Sequence, residues 1–179
     1  WIGLVGSEMC IRDRLTMIID VPVLLPNNMK TPKKPPFKYA GSKSRMLKKY
    51  AASGFLVNEP KMFVDMFAGS TQISYWVRTL YPEIPIVIND LNDELIQLYN
   101  VMMKHTKEYQ QWGRKFLQPY LAITPPPKPA ISEARKEYYY ELRSRYREGG
   151  FDNPVEESAM LMFMMRTNFN GFWGQSKKY

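Results

Sequence analysis

The apolar positions change period several times after residue 60, and each change marks an element. MFVDM (Met62 to Met66) is a short, partly β-branched apolar run bounded by Pro60 and by Gly69-Ser70, which predicts a buried strand. Thr71 to Tyr81 then places Ile73, Trp76, Val77 and Leu80 at helical spacing until Pro82 and Pro85 stop it. IVI (Ile86 to Ile88) predicts a second buried strand. In LNDELIQLYNVMM, residues Leu91, Leu95, Leu98, Tyr99 and Met102 fall on one helical stripe, with Asn89, Asp90 and Asn92 standing where an N-terminal cap is needed. Strand, helix, strand, helix with crossovers this short predicts parallel strands in a doubly wound α/β sheet.

The flanks read differently. Asn27 to Pro36 is built of Asn, Lys and Pro, an unstructured approach to a fold that starts near Phe37. Ser44 to Tyr50 carries helix-compatible residues, ended by Ser53-Gly54. Pro119 to Ala130, with its PPP, predicts a linker or long loop. Beyond it, Ser132 to Glu148 is a charged amphipathic helix presenting Ala134, Tyr138, Leu142 and Tyr146, stopped by Gly149-Gly150. Glu156 to Arg166 is apolar almost all round and too short to span a bilayer, so it predicts a buried helix. NFNGF then supplies turn chemistry.

At 179 residues the chain can hold one domain with a sizeable core, which is short for a complete two-domain enzyme. Its formal charge of +8 is localised: eight basic residues and no acidic one lie between Lys30 and Tyr50, and the rest of the chain is balanced. A field concentrated in this way favours a polyanionic partner over a neutral small substrate. One Cys and one His cannot build a disulfide framework or a Cys/His metal site, so any chemistry is expected to be metal-free. No uninterrupted apolar run reaches the roughly 18 residues of a membrane span, and no secretory signal is evident, which predicts a cytoplasmic setting. Residues 1–14 include MCIRD, a translation of ATG TGT ATA AGA GAC, which resembles a transposon-end adaptor of sequencing libraries. We expect that segment to be an artefact outside the fold.

Ligands of open α/β sheets bind beyond the carboxyl ends of the strands. Two loops lie there: Asp65 to Thr71, after the first strand, and Asn89 to Asn92, after the second. An acid about 20 residues beyond a glycine-bearing first turn is the arrangement that holds a ribose diol, and Asp90 stands where it is needed. The first loop has one central glycine and no lysine, so it is poorly built to cradle a pyrophosphate. A ligand with a ribose and little phosphate is implied, such as S-adenosylmethionine. On residue pattern alone, a capped strand-turn-helix without a ligand remains the other reading.

Five segments, in order, resemble the motifs of the Dam-like DNA adenine-N6 methyltransferase family. PFKYAGSKSRML (Pro36 to Leu47) is similar to its opening motif, FVDMFAGST (Phe63 to Thr71) to its methyl-donor loop, and INDLNDELIQLYN (Ile88 to Asn100) to its ribose motif. YYYELRSRY (Tyr138 to Tyr146) and RTNFNGFWGQSKKY (Arg166 to Tyr179) resemble the target-recognition segment that follows. The resemblance implies a Rossmann-like methyltransferase sheet, incomplete here, with a mainly helical target-recognition insert. Residues 36–98 would be the S-adenosylmethionine-binding part, 99–179 the recognition region, and 15–35 a poorly structured lead-in. It assigns Tyr39, Gly41 and Lys43 to the donor pocket, Asp65, Phe67 and Gly69 to the methionine end of the donor, and Asp90 to the ribose hydroxyls. Arg166, Asn168, Phe169, Asn170 and Gly171 match the region that contacts double-stranded DNA, with Phe169 where an aromatic enters the base stack.

Three departures qualify the resemblance. Thr71 replaces a second glycine common in the donor loop, and Gly174 stands where GATC-specific members carry an arginine, so a GATC target is not predicted. The family's catalytic Asp/Asn/Ser-Pro-Pro-aromatic motif does not occur; Thr124-Pro125-Pro126-Pro127 lacks both the acceptor and the aromatic. The sequence therefore reads as an N-terminal fragment that carries the donor-binding half of the site and is inactive alone. A non-catalytic nucleic-acid-binding module, or a methyltransferase acting on RNA or a small molecule, are the alternatives.

Overall fold

The computed structural model describes residues 17–19, 37, 39–54, 58–123 and 132–168. Three short strands form one sheet: β1 (Met17–Ile19), β2 (Phe63–Asp65) and β3 (Ile86–Ile88), in the order β1-β3-β2. β2 and β3 are parallel, with Phe63 opposite Ile86 and Asp65 opposite Ile88. Between them runs α2 (Gln72–Leu80), the expected crossover helix. The fold is mixed but mostly helical. A two-strand parallel unit falls short of the doubly wound Rossmann-like sheet that the sequence led us to expect.

β1 lies within the 15–35 segment expected to lack regular structure. It pairs antiparallel with β3, Met17 opposite Ile88 and Ile19 opposite Ile86. Its residues are the apolar MII, two of them β-branched, and the edge of β3 away from β2 offers backbone groups to such a run.

The helices start and stop where their end chemistry dictates. A 3-10 turn over Lys43–Arg45 leads into α1 (Leu47–Ala52). α3 (Asp93–Lys104) is capped by Asn92, whose side chain accepts from the Glu94 N–H at 3.1 Å and the Leu95 N–H at 3.4 Å. Asn92→Ala leaves those donors to water and is expected to cost about 1 kcal/mol, seen as a lower midpoint in urea unfolding with unchanged slope. α5 (Glu133–Glu148) is capped by Ser132 and ends at Gly149, φ 74°, and α6 (Pro154–Thr167) is capped by Asn153 with proline in its first turn.

α4 (Thr106–Ala122) corrects the expectation of a linker from Pro119. Tyr109, Trp112, Phe116 and Tyr120 recur at helical spacing and pack against the core, with Trp112 and Phe116 stacked at 5.9 Å. Pro119 falls in the last turn, where its missing N–H removes a single hydrogen bond and little helix follows.

α6 is the centre of the helical part and packs against α3, α4 and α5. Met160, Leu161, Met164 and Met165 are fully buried there, and their flexible thioethers and branched tips fill the spaces between three helices. Those residues join Ile86, Ile88, Leu95 and Leu98 in one apolar cluster. The division anticipated at 98/99 thus falls inside α3, and the core crosses it unbroken. Among the described residues no helix is long and apolar enough to cross a membrane.

Candidate functional site

The carboxyl ends of β2 and β3 are stitched together beyond the ladder. The Asn89 N–H donates to the Asp65 carbonyl at 2.8 Å, and the Ala68 N–H to the Asn89 carbonyl at 2.9 Å. The Asn89 side chain donates to the Met66 carbonyl at 3.2 Å. These bonds bring Asp65 and Asp90 to the same end of the sheet, in two adjoining loops.

Asp90 is the link between the loops. Its Oδ2 accepts the Gly69 N–H at 2.7 Å and its Oδ1 accepts the Asn92 N–H at 2.9 Å. Asp90 therefore holds the residue that caps α3 and does not itself cap the helix. Asp65 is held from the other side, its Oδ2 accepting the Ser74 hydroxyl of α2 at 2.6 Å. Gly69 has φ 48°, and a Cβ added there would stand 3.1 Å from Cε1 of Tyr39. Glycine is favoured on both counts, by its left-handed backbone and by the ring against it.

Tyr39 reaches this position through a tight turn. The Ser42 N–H donates to the Tyr39 carbonyl at 3.2 Å, with Gly41 at φ 81° in the position of a type II turn that favours glycine. The Tyr39 hydroxyl is pushed above its ordinary pKa by burial and then by the negative charge of Asp90. Ser44 donates to Gln72 at 3.4 Å, which ties the 3-10 turn to the first turn of α2. Lys43 is exposed on that turn, and with Arg45, Lys48 and Lys49 it forms a basic rim without an acidic residue. Phe67 is 88% exposed at the loop tip, flanked by exposed Met66 and Leu91.

The residues expected on DNA separate. Arg166 is exposed at the end of α6, close enough to Tyr109 to oppose the rise in that hydroxyl's pKa, which burial carries to about 12. Asn168 is 4% exposed and closes the helix, its N–H donating to the Met164 carbonyl at 2.9 Å. Phe169, Asn170 and Gly171 lie outside the described residues.

A family model described as D12 class N6 adenine-specific DNA methyltransferase matches residues 39–179, well over half of the chain. The chain belongs to that family. Within the D12 class it is 33% identical over 94 residues to the Type II methyltransferase M1.LlaDCHI of Lactococcus lactis subsp. cremoris, covering 51% of this chain and 28% of that protein. It is 24% identical over 137 residues to the DNA adenine methylase of Salmonella typhi and 23% identical to that of Escherichia coli strain K12, each alignment covering 75% of this chain and 41% of the relative. The D12-class chain thus spans less than half the length of these curated relatives. No solved structure matches it.

Two residues of the candidate site escaped the sequence reading. Tyr99 stood only in an apolar stripe, yet its hydroxyl donates to the Gly69 carbonyl. Ser74 is a polar residue 3% exposed on the sheet-facing side of α2, and a serine on a buried helical face is the signal that could have found it.

Proposed function

We propose that this chain binds S-adenosylmethionine at the mouth formed by the Asp65 and Asp90 loops, and double-stranded DNA beside it. The protein to which it belongs would transfer a methyl group to adenine N6, in the cytoplasm. The observation that carries this reading is the Gly69 N–H to Asp90 bond. It closes two loops over one end of a parallel strand pair and orients a carboxylate that uses one acceptor site on each oxygen. An ionised carboxylate has about four such sites, so capacity remains for the two hydroxyls of a ribose. The pocket has no phosphate cradle, and Asp65 lies where an ammonium group of the ligand would need a charge-assisted acceptor. Tyr39 and the exposed Phe67 offer ring faces to a purine, and Lys43 stands at the rim.

Bound there, the donor supplies an electrophilic methyl on a sulfonium. The chain's own residues orient the ribose and the amino-acid end and set the loop shape. Methyl transfer also needs groups that accept from the adenine amino group and stack the extruded base, and the Asp/Asn/Ser-Pro-Pro-aromatic string that provides them is not in this sequence. We therefore infer that the 179-residue chain binds both partners and does not methylate.

The test pairs two measurements on the 179-residue chain. Calorimetry with S-adenosylmethionine is expected to give saturable one-to-one binding. Duplex binding is expected to weaken steeply as salt rises, because the basic rim and Arg166 displace counterions. Salt-sensitive DNA binding without any donor binding would instead mark a nucleic-acid-binding module. Methyl incorporation into DNA by the purified chain would overturn the inference of inactivity.

A further inference from the structure

Tyr99 lies on the buried face of α3, stacked at 6.4 Å on the ring of Phe37. Its hydroxyl donates to the Gly69 carbonyl. Gly69 and Thr71 are the left-handed points of the donor loop, at φ 48° and φ 55°. Among the described residues Thr71 is the one non-glycine with positive φ. A β-branched side chain is an outlier in that region, because its Cβ crowds the neighbouring carbonyl, and the conformation persists only where surrounding contacts impose it.

The candidate contacts are few. α2 begins at Thr71 without a side-chain cap bond; the Thr71 N–H is held by the Ala68 carbonyl at 2.7 Å and the Thr71 hydroxyl donates to the Ser70 carbonyl at 2.8 Å, both within the same loop. The hydroxyl of Tyr99 comes from thirty residues away and meets the loop at the Gly69 carbonyl. Gly69 is then gripped from two directions, its carbonyl by Tyr99 and its N–H by Asp90 at 2.7 Å. Burial raises the Tyr99 hydroxyl far above its ordinary pKa, so it remains a proton donor throughout the physiological range.

We propose that Tyr99 is a positioning residue of the donor site: its hydroxyl holds the Gly69–Thr71 backbone left-handed and, through the Gly69 N–H, fixes the carboxylate of Asp90 in its ligand-binding orientation. The inference rests on the donor-site reading above. It also accounts for a threonine standing where glycine is the easier residue, since Tyr99 provides the restraint that Thr71 needs.

The experiment uses S-adenosylhomocysteine as the probe in calorimetry, at a temperature where thermal unfolding shows each variant fully folded. Absence of saturable binding by folded wild type would sink the donor-site reading and the proposal with it. Given wild-type binding, Tyr99→Phe keeps the ring on Phe37, loses only the hydroxyl, and is expected to weaken affinity about tenfold. Asp90→Asn combined with Tyr99→Phe is expected to weaken binding by clearly less than the product of the single effects, because both act on the same carboxylate. Thr71→Gly in the Tyr99→Phe background is expected to recover most of the lost affinity, since glycine takes φ 55° without steric cost. A merely structural tyrosine would lower the melting temperature and leave affinity within about twofold of wild type, and that result overturns the proposal. Multiplicative effects with no recovery by Thr71→Gly overturn it as well. Tyr99→Met, an adaptable apolar side chain that also lacks the hydroxyl, is the second variant should Tyr99→Phe not fold. It is expected to weaken binding about tenfold, and unchanged affinity there overturns the proposal.

Discussion

Asp90→Ala is expected to weaken S-adenosylhomocysteine binding by roughly a hundredfold or more, the largest effect of any single substitution at the site. Two losses combine. Hydrogen bonds from a ribose diol to an ionised carboxylate contribute about 1.5–3 kcal/mol each, and about 2.7 kcal/mol already corresponds to a hundredfold. The same carboxylate also joins Gly69 and Asn92, so its removal frees the donor loop from the loop that follows β3. Asp90→Glu separates the two contributions. It retains the charge but moves it by one methylene, and is expected to bind more weakly than wild type and more tightly than alanine. Calorimetry on folded protein checks this, and an Asp90→Ala affinity within about threefold of wild type would remove the ribose assignment.

The parts of this arrangement that could be read from sequence are those fixed by nearby residues. Pro82 ends α2, Asn92 and Ser132 open α3 and α5, and Gly149 closes α5, each through backbone groups a few residues away. The convergence of Asp65 and Asp90 was legible for a broader reason: parallel strands with a short crossover place both carboxyl ends on one side. What was not legible depends on distant partners. β1 exists because β3 has a second edge to offer, and nothing in MII names its partner. In α4 the local proline signal opposed the aromatic spacing of Tyr109, Trp112, Phe116 and Tyr120, and burial against α6 won. Tyr99 has an apolar body and a polar tip, so its place on the stripe revealed the first and hid the second.

The unbroken core joins the Asp90 loop to the helical part of the fold. The N-terminal half of α3 carries the Asp90 loop at its start, and Gln97 on its second turn donates to Glu157 of α6 at 2.6 Å. Glu94 meets Tyr146 of α5, and Arg145 of α5 pairs with Glu156 of α6. These polar links surround an apolar centre in which Leu95 and Leu98 of α3 meet Met160 and Met164 of α6. α3 is therefore shared by both regions: it starts at the Asp90 loop and packs along α6.

Leu98→Ala tests that unity, and it is expected to be the most destabilising of the changes considered. Leu98 is fully buried at the middle of α3, in the same apolar cluster as strand residues Ile86 and Ile88 and as Met160 and Met164 of α6. Truncation to Cβ loses the transfer free energy of the removed methine and two methyl groups and leaves a cavity that the packed surroundings close only in part. The expected cost is about 3 kcal/mol, a large share of the stability of a domain this size. If sheet and helices form one cooperative unit, the fluorescence of Trp76 on α2 and of Trp112 on α4, each followed in a variant lacking the other described tryptophan, shifts to the same lower urea midpoint. Two separated transitions, with only one displaced by Leu98→Ala, would mean that the regions fold independently and that α3 is a joint between them.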